Sequence, residues 1–378
     1  MNKIFISISA LLIIISASLI FISCKDNNKA TSDINQIVVA GEENIIEEVM
    51  VKDTITIVAV GDMMLGTNYP SSPNYLPPND DYNSLFNDLV PYLKDADVTF
   101  GNCEGTFSDK PEYAKHCNDP QWCYRFSMPT KYVNGFVDAG FDVVSIANNH
   151  VHDLGSYGKQ STIKTLQDAG LNFAGVCDIP VDTFTINGVK YGFCAFAPNE
   201  GTCQITDYKK MQETVRMLKE QCQIVMVSFH GGAEGSKYEH VPREYEYFLG
   251  QNRGNVYEFA HLAIDAGADV VIGQGPHVTR GIELYNGKFI AYSLGNFCTY
   301  RRFNIQGVNG FAPIVKLWLD DEGNFIKGKI TPVYQDKFKG TFYDDQKRVI
   351  KRMQELTKQD FPESGLLITD EGQIIINN

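Results

Sequence analysis

Residues 143–155 read VVSIANNHVHDLG, an apolar run that passes directly into two asparagines, two histidines and an aspartate. Continuous β-branched and apolar residues are typical of a strand that is buried on both faces, as in a parallel sheet. Potential metal ligands at the end of such a strand indicate a functional site. The alternative is a hydrogen-bonded loop corner where the strand reaches water.

The same arrangement occurs four more times along the chain. Each run stops at a glycine or asparagine that lies close to a carboxylate, an amide or an imidazole. The runs are TITIVAVGD at 54–62, ADVTFGNCEG at 96–105, QIVMVSFHGG at 223–232 and ADVVIGQGPH at 268–277. Sites in open α/β sheets form beyond the carboxyl ends of the strands, so we expect the five ends to meet.

Helical patterns separate these runs. Residues 81–96 place five apolar side chains on one helical face: Leu85, Phe86, Leu89, Val90 and Leu93. The segments 184–197 and 281–297 each contain an Asn-Gly pair between β-rich halves, which is typical of a tight hairpin. Alternating strands and helices predict an α/β protein with buried strands.

The polar side chains at the strand ends form one set of candidates: Asp62, Asn102, Glu104, Asn149, His150, Asp153, His230, Glu234, Gln274 and His277. Carboxylates, imidazoles and amide oxygens together suit one or two divalent metal ions such as Mn, Fe or Zn. Such an ion lowers the pKa of bound water and stabilises a developing anion. Alone, Asp62 or Asp153 would be expected to cap a turn or helix. Arg280 could contact an anionic substrate, and an exposed arginine without a role is the alternative.

Six motifs in this order resemble the CapA family of membrane-anchored proteins linked to poly-γ-glutamate capsule synthesis. They are VAVGDMMLG, GNCEG, IANNHVHDLG, SFHGGAEG, VIGQGPHV and YSLGNF, within residues 54–332. The family is similar to the calcineurin-like metallophosphoesterases. The resemblance therefore implies a four-layer α-β-β-α sandwich of metallophosphatase type.

The resemblance also implies roles for individual residues. Its metal ligands would be Asp62, Glu104, Asn149, His230, Gln274 and His277, with Glu104 as the bridge between two metals. His150 would protonate the leaving group, and Asp153 would orient it. Two positions depart from the phosphoesterase pattern, because Met64 and Gln274 stand where histidines are expected. A second metal position would be weakened by these changes.

The N-terminus predicts a membrane tether. Lys3 is followed by twenty apolar or serine residues and then by Cys24, which resembles the lipidated cysteine of a bacterial lipoprotein. An uncleaved transmembrane anchor is the alternative. We expect a signal peptide at 1–24, a tether at 25–52, the metallophosphatase-like domain at 53–340, and a C-terminal helix and strand at 341–378 that pack on it. The chain would then lie in the cell envelope, outside the cytoplasm.

The composition limits the partners. The net charge of −13 argues against nucleic acid, which requires a basic surface. Eight cysteines follow Cys24, and Cys117–Cys123 and Cys194–Cys203 are the expected disulfides if the domain is exported.

The sequence thus leaves two functions open. The first is a metal-dependent hydrolase or transferase that acts on a phosphoester or an acidic polymer in capsule or poly-γ-glutamate biosynthesis. The second is a non-catalytic accessory protein that binds or exports an acidic polymer within a capsule-synthesis membrane complex.

Overall fold

The apolar runs of the sequence form the central strands of two β-sheets. A computed structural model describes residues 54–69, 75–110 and 124–377. The predicted signal peptide with Cys24, the tether at 25–52 and the Cys117–Cys123 pair lie outside the described residues. The predicted domain boundaries remain predictions.

The strands have the following bounds in chain order: β1 Ile55–Met64, β2 Val98–Cys103, β3 Thr106–Phe107, β4 Ser127–Met128, β5 Val143–Ser145, β6 Asn172–Ala174, β7 Val181–Ile186, β8 Val189–Phe196, β9 Ile224–His230, β10 Tyr247–Phe248, β11 Gln251–Asn252, β12 Val270–Gln274, β13 Ile282–Tyr285, β14 Lys288–Ala291, β15 Asn296–Thr299, β16 Ile314–Leu319, β17 Phe325–Thr331, β18 Val333–Asp336, β19 Gly340–Tyr343, β20 Leu366–Ile368 and β21 Gln373–Ile376.

The α-helices are α1 Val90–Leu93, α2 Val133–Ala139, α3 Gly155–Asp168, α4 Tyr208–Lys219, α5 Val256–Asp265 and α6 Arg348–Asp360. Short 3₁₀ helices cover Pro78–Asp80, Asn83–Leu89, Thr130–Tyr132 and Gly307–Gly310. In the described part of the chain, no helix is both long and apolar enough to span a bilayer.

The larger sheet has the strand order β20-β21-β17-β16-β1-β2-β5-β6, and β15 also pairs with β1. Strands β1, β2, β5 and β6 are parallel, so the carboxyl ends of β1, β2 and β5 lie at one edge. The smaller sheet has the order β13-β14-β12-β9-β8-β7, with β8, β9, β12 and β14 parallel.

Three apolar layers join the two sheets and the helices into the four-layer α-β-β-α sandwich predicted above. Alternate residues of a strand point to opposite faces. In β1, Val58 and Val60 pack in the layer shared with α2 and α3, whereas Ile57 and Ala59 pack against the smaller sheet. The third layer lies between the smaller sheet and helices α4 and α5. The predicted fold class is confirmed.

Both predicted hairpins are confirmed. Strands β7 and β8 pair antiparallel around Asn187-Gly188, and β13 and β14 pair around Asn286-Gly287. All four turn residues have positive φ angles, which a two-residue type I′ turn requires.

The helix predicted over 81–96 is confirmed only in part. The segment forms the 3₁₀ helix Asn83–Leu89 followed by the single turn of α1. Asn87 leaves helical geometry with φ 45° and ψ −133°, and Pro91 has no N–H to donate. The apolar spacing is still satisfied, because Leu85, Phe86 and Leu89 are buried.

The predicted Cys194–Cys203 disulfide is also wrong. Both cysteines are free thiols. The side chain of Cys194 packs in the core beneath α4 and α5, and burial raises its pKa. The thiol of Cys203 lies instead against the carbonyl of Val176, at 3.8 Å.

Strand β1 makes a close backbone contact just before Asp62. The amide of Asp62 donates to the carbonyl of Gly295 over 2.9 Å. A Cβ atom placed on Gly61 would lie 1.9 Å from that same oxygen. Glycine is therefore required at residue 61 for β1 to reach the segment that leads into β15.

We expect Gly61→Ala to destabilise the protein by about 3 kcal/mol or more, at the upper end of typical overpacking costs, because its clash is with backbone. Chemical denaturation would measure the change. Gly105→Ala is the control, since its new methyl group would meet nothing closer than 3.1 Å. Equal stability of the two variants would contradict the importance of this contact.

Candidate functional site

Two carboxylates from the larger sheet form the centre of the site. Asp62 ends the regular part of β1, and Glu104 follows β2 directly; both side chains are fully buried. The Nδ2 group of Asn102 lies between them and donates to Asp62 Oδ1 at 2.8 Å and to Glu104 Oε2 at 2.6 Å. One amide therefore holds two acidic groups close together.

The electrostatics of this pair are unfavourable without a cation. Burial and the negative charge of Asp62 raise the pKa of Glu104 well above its usual value. Desolvation and like charge both penalise the ionised form of a carboxyl group. A bound cation would remove that penalty.

The smaller sheet contributes His230 and Gln274. They end the neighbouring parallel strands β9 and β12 and occupy the same register position. Gln274 Nε2 donates to the carbonyl of Val60 on β1 at 3.1 Å, which joins the two sheets at the site. Burial and the charge of Arg253 lower the pKa of His230, which keeps its imidazole neutral.

Several buried atoms at this junction have no hydrogen-bond partner among the described residues. They are Glu104 Oε1, both ring nitrogens of His230 and Gln274 Oε1. Buried polar atoms are rarely left unsatisfied in native proteins, and each exception needs an explanation. Here the unsatisfied atoms are a carboxyl oxygen, imidazole nitrogens and an amide oxygen, which are the kinds of atom that ligate divalent cations.

The geometry fits such an ion. Asp62, Glu104 and His230 each offer one ligand atom, and these atoms lie within 4.8 Å of one another. His230 Nδ1 lies 3.5 Å from Glu104 Oε2. We call these three residues the metal cluster. Its mixed oxygen and nitrogen donors suit Mn, Fe or Zn without selecting among them.

His277 lies beside this cluster but binds one of its members. Its Nδ1 is 2.8 Å from Asp62 Oδ2. Burial by itself would lower the pKa of His277, but the hydrogen bond and charge of Asp62 raise it to about 9. The structure thus places His277 as a charged partner of Asp62.

The backbone of His277 is held in an unusual conformation. Its φ angle is +56°, a region that non-glycine residues rarely occupy. The Nδ2 groups of Asn296 and Asn309 both donate to its carbonyl at 3.2 Å. These two amides fix the left-handed turn that points the ring at Asp62.

His150 forms the other side of the site. Its Nδ1 is 2.7 Å from Asp153 Oδ2, and the same oxygen accepts the backbone N–H of Phe126 at 2.6 Å. Its Nε2 lies 3.1 Å from Asn149 Nδ2 and 3.7 Å from Glu104 Oε1. Asp153 therefore orients the imidazole, and Nε2 faces the metal cluster.

Arg280 does not fit either of its predicted roles. It is fully buried rather than exposed. Its guanidinium donates to both carboxylate oxygens of Glu246, at 2.8 and 2.7 Å, and to the carbonyl of Tyr238. Because these contacts occupy its donors, Arg280 holds the loop after β9 in place.

Sequence reasoning missed three features of the site. Asn148 donates to Asn102 Oδ1 and to the carbonyl of Cys103, and so ties the β5 end to the β2 end. Arg253 forms an ion pair with the candidate carboxylate Glu234 at 3.1 Å, in the loop that follows His230. Phe126 packs against the His150 ring at 4.3 Å. Only the doubled asparagine at 148–149 gave a signal in the sequence.

We expect Glu104→Gln to have opposite effects on stability and on metal content. Without metal, a neutral amide avoids the cost of either ionising or protonating a buried carboxyl group next to Asp62, so the variant should be more stable by about 1–3 kcal/mol, the cost of an uncompensated buried group. Thermal unfolding in a chelator would show this.

The same variant should retain little metal by elemental analysis after incubation with Mn, Fe or Zn. His230→Ala should also lose metal, because it removes the cluster's only imidazole. His240→Ala is the control, since that exposed imidazole pairs with Asp360. Wild-type metal content in both cluster variants would exclude a metal at this position.

Two curated relatives each match 65% of this chain. The capsule biosynthesis protein CapA of Bacillus anthracis is 29% identical over 266 residues, covering 65% of this chain and 60% of that protein. The PGA biosynthesis protein CapA of Bacillus subtilis is 27% identical over 261 residues, covering 65% and 63%. This chain thus spans less than two thirds of the length of these relatives.

Solved structures also align with the chain at low identity. A putative 5'-nucleotidase from Staphylococcus aureus is 16% identical, covers 84% of this chain and 60% of its own, and has a TM-score of 0.42. A purple acid phosphatase from yellow lupin is 12% identical, with coverages of 77% and 53% and a TM-score of 0.37.

The family assignment depends on the sequence match rather than on these structures. The family described as bacterial capsule synthesis protein PGA_cap matches residues 56–301, which include the metal cluster, His150 and His277. Because that match covers more than half of the chain, this protein belongs to the PGA_cap family of bacterial capsule synthesis proteins.

Proposed function

We propose that this chain is a membrane-anchored, extracytoplasmic, metal-dependent hydrolase or transferase in capsule or poly-γ-glutamate biosynthesis. The observation that supports it most is the set of unpartnered buried ligand atoms at Glu104, His230 and Gln274, next to the oriented His150. The names of its Bacillus relatives, which refer to capsule and PGA biosynthesis, support the assignment of the polymer.

Asp62, Glu104 and His230 would hold the cation, and Gln274 Oε1 is a further oxygen available to it. When bound, a divalent cation would supply Lewis-acid activation of the group under attack. Asn102 would keep both carboxylates aimed at the cation through its two hydrogen bonds. His277 would fix the second oxygen of Asp62.

His150 would move the proton. Oδ2 of Asp153 faces Nδ1 of His150, and the amide of Asn149 faces Nε2, so this arrangement favours the tautomer with the hydrogen on Nδ1. Nε2 is therefore the atom that would take the proton from the O–H of the attacking nucleophile and pass it to the leaving group. Asp153 would stabilise the imidazolium formed in that step.

The non-catalytic alternative is favoured by two residues. Met64 is fully buried, and its sulfur accepts the N–H of Gly66, so it contributes no imidazole to the site. Gln274 likewise offers an amide in place of an imidazole. An accessory protein that binds an acidic polymer would need the fold but not the proton transfer.

We expect His150→Ala to lower turnover by about 10²-fold or more, the typical contribution of a general acid or base, with its metal content unchanged. The assay is hydrolysis of an activated phosphodiester and cleavage of poly-γ-glutamate by the metal-loaded full chain. His240→Ala should retain wild-type rates. Equal rates for all three proteins would favour the accessory role.

We further expect Cys24→Ser to abolish incorporation of a labelled fatty acid into the chain, because the thiol that would carry the lipid is lost. Metabolic labelling of expressing cells followed by immunoprecipitation measures this. Absence of label from the wild-type chain as well would instead support an uncleaved transmembrane anchor.

A further inference from the structure

A short segment after β15 forms the rim of the site. The amide of Tyr300 donates to the carbonyl of Met64 over 2.8 Å, which places the segment beside the end of β1. Phe303 stacks on Phe126 at 4.8 Å and meets the edge of His277 at 5.3 Å. Since Phe126 also contacts His150, this rim lies next to both halves of the site.

The rim carries two adjacent arginines, Arg301 and Arg302, both half-buried. Within the described residues, neither guanidinium has a carboxylate partner. Other arginines of the domain do bind carboxylates: Arg243, Arg253, Arg280, Arg348 and Arg352. No described carboxylate therefore compensates these two adjacent positive charges, in a chain with a net charge of −13.

Aromatic rings hold these two guanidinium groups. Arg301 lies over Phe338 at 4.8 Å, and Arg302 lies over Tyr75 at 4.7 Å. Stacking occupies the face of a guanidinium, whereas its five N–H donors lie in its plane. The aromatic contacts therefore position both side chains without satisfying their in-plane donors, and Arg301 Nε has no hydrogen-bond partner among the described residues.

A cavity of about 460 Å³ adjoins Arg301 and is also lined by Tyr300 and residues 76–80. Among its described lining residues only Asp80 is acidic, and Asp80 is already paired. Asp80 lies 2.7 Å from Lys131 Nζ and accepts a hydrogen bond from Tyr132. The hydrogen bond from Lys131, followed by that from Tyr132, lowers the pKa of Asp80. The uncompensated charge at this cavity is therefore that of Arg301.

We propose that Arg301 and Arg302 form an anion subsite that holds carboxylates of an acidic polymer at the rim of the metal cluster. The identity of the polymer rests on the proposed function, whereas the anion subsite itself is assigned from the two stacked guanidinium groups that no described carboxylate binds. A strongly acidic protein repels a polyanion over most of its surface, so a local cationic clamp is needed to bring it to the site. Arginine is suited to this because its fork binds a carboxylate through two parallel hydrogen bonds.

The test is binding of a fluorescent oligo-γ-glutamate to the purified full-length chain in detergent, followed by anisotropy in the presence of a chelator. Arg301→Gln and Arg302→Gln should each weaken binding by about tenfold or more, the range for a lost charge-assisted hydrogen bond. Arg216→Gln is the matched control, because Arg216 is exposed on α4 and has no carboxylate partner among the described residues. It should bind like wild type.

Arg302→Lys keeps the charge but loses the planar fork, so its affinity should fall between those of wild type and Arg302→Gln. Unfolding temperatures and metal contents equal to wild type would show that the variants fold. Pyrophosphate, used as a competitor, tests whether the subsite prefers phosphate.

Wild-type affinity in both glutamine variants would overturn the subsite. Displacement by pyrophosphate at concentrations where free glutamate has no effect would overturn its assignment to carboxylates. The chelator separates this result from catalysis. Loss of binding in the arginine variants supports the subsite even if His150→Ala leaves turnover unchanged, and unaltered binding overturns it even if the metal is confirmed.

Discussion

The site depends on two carboxylates that are buried side by side. Asp62 and Glu104 are inaccessible to solvent and share the single amide of Asn102. Two ionised carboxylates that both bind one amide lie close enough to repel each other, and burial removes the water that would screen their charges. The neighbouring side chains offset this repulsion: Asn102 donates hydrogen bonds to both carboxylates, and the imidazole of His277 binds Asp62. Unpartnered atoms of Glu104, His230 and Gln274 remain, and a cation would bind them.

This arrangement is possible only because two sheets meet at their carboxyl edges. The larger sheet provides the carboxylates, whereas the smaller sheet provides His230 and Gln274. The hydrogen bond from Gln274 to Val60 and the tight approach of Gly61 to Gly295 fix the sheets to each other. A substitution that disturbs either contact would move the candidate ligands of the two sheets apart. The stability of the fold and the geometry of the site are therefore coupled.

The arginines of the domain differ in whether a carboxylate binds them. Most arginines of the domain are bound by carboxylates, and Arg280 with Glu246 forms a fully buried example that fixes a loop. Removing one partner of such a pair is costly because the other charge remains buried. Arg301 and Arg302 differ, since aromatic rings position them while their donors stay available. The rim can therefore attract anions although the protein as a whole is acidic.

The sequence by itself determined an α/β protein with buried strands, the two Asn-Gly hairpins and a set of candidate residues at the strand ends, because strand ends in an α/β fold converge and apolar periodicity reports burial. The four-layer sandwich was implied by the resemblance to the CapA family. The sequence could not determine pairings between residues distant in the chain. Cys194 and Cys203, for example, are free thiols rather than a disulfide. The sequence also did not reveal the local break at Asn87 in the helix over 81–96.

Only the tertiary structure decided the roles within the site. It showed that His277 binds Asp62, that Asn148 joins two strand ends, and that Arg280 is bound by Glu246. It also revealed Arg301 and Arg302 at the rim, which no motif marked. The physical reason is that a side chain's function follows from its neighbours and its solvation, and both are set by which chain segments pack together.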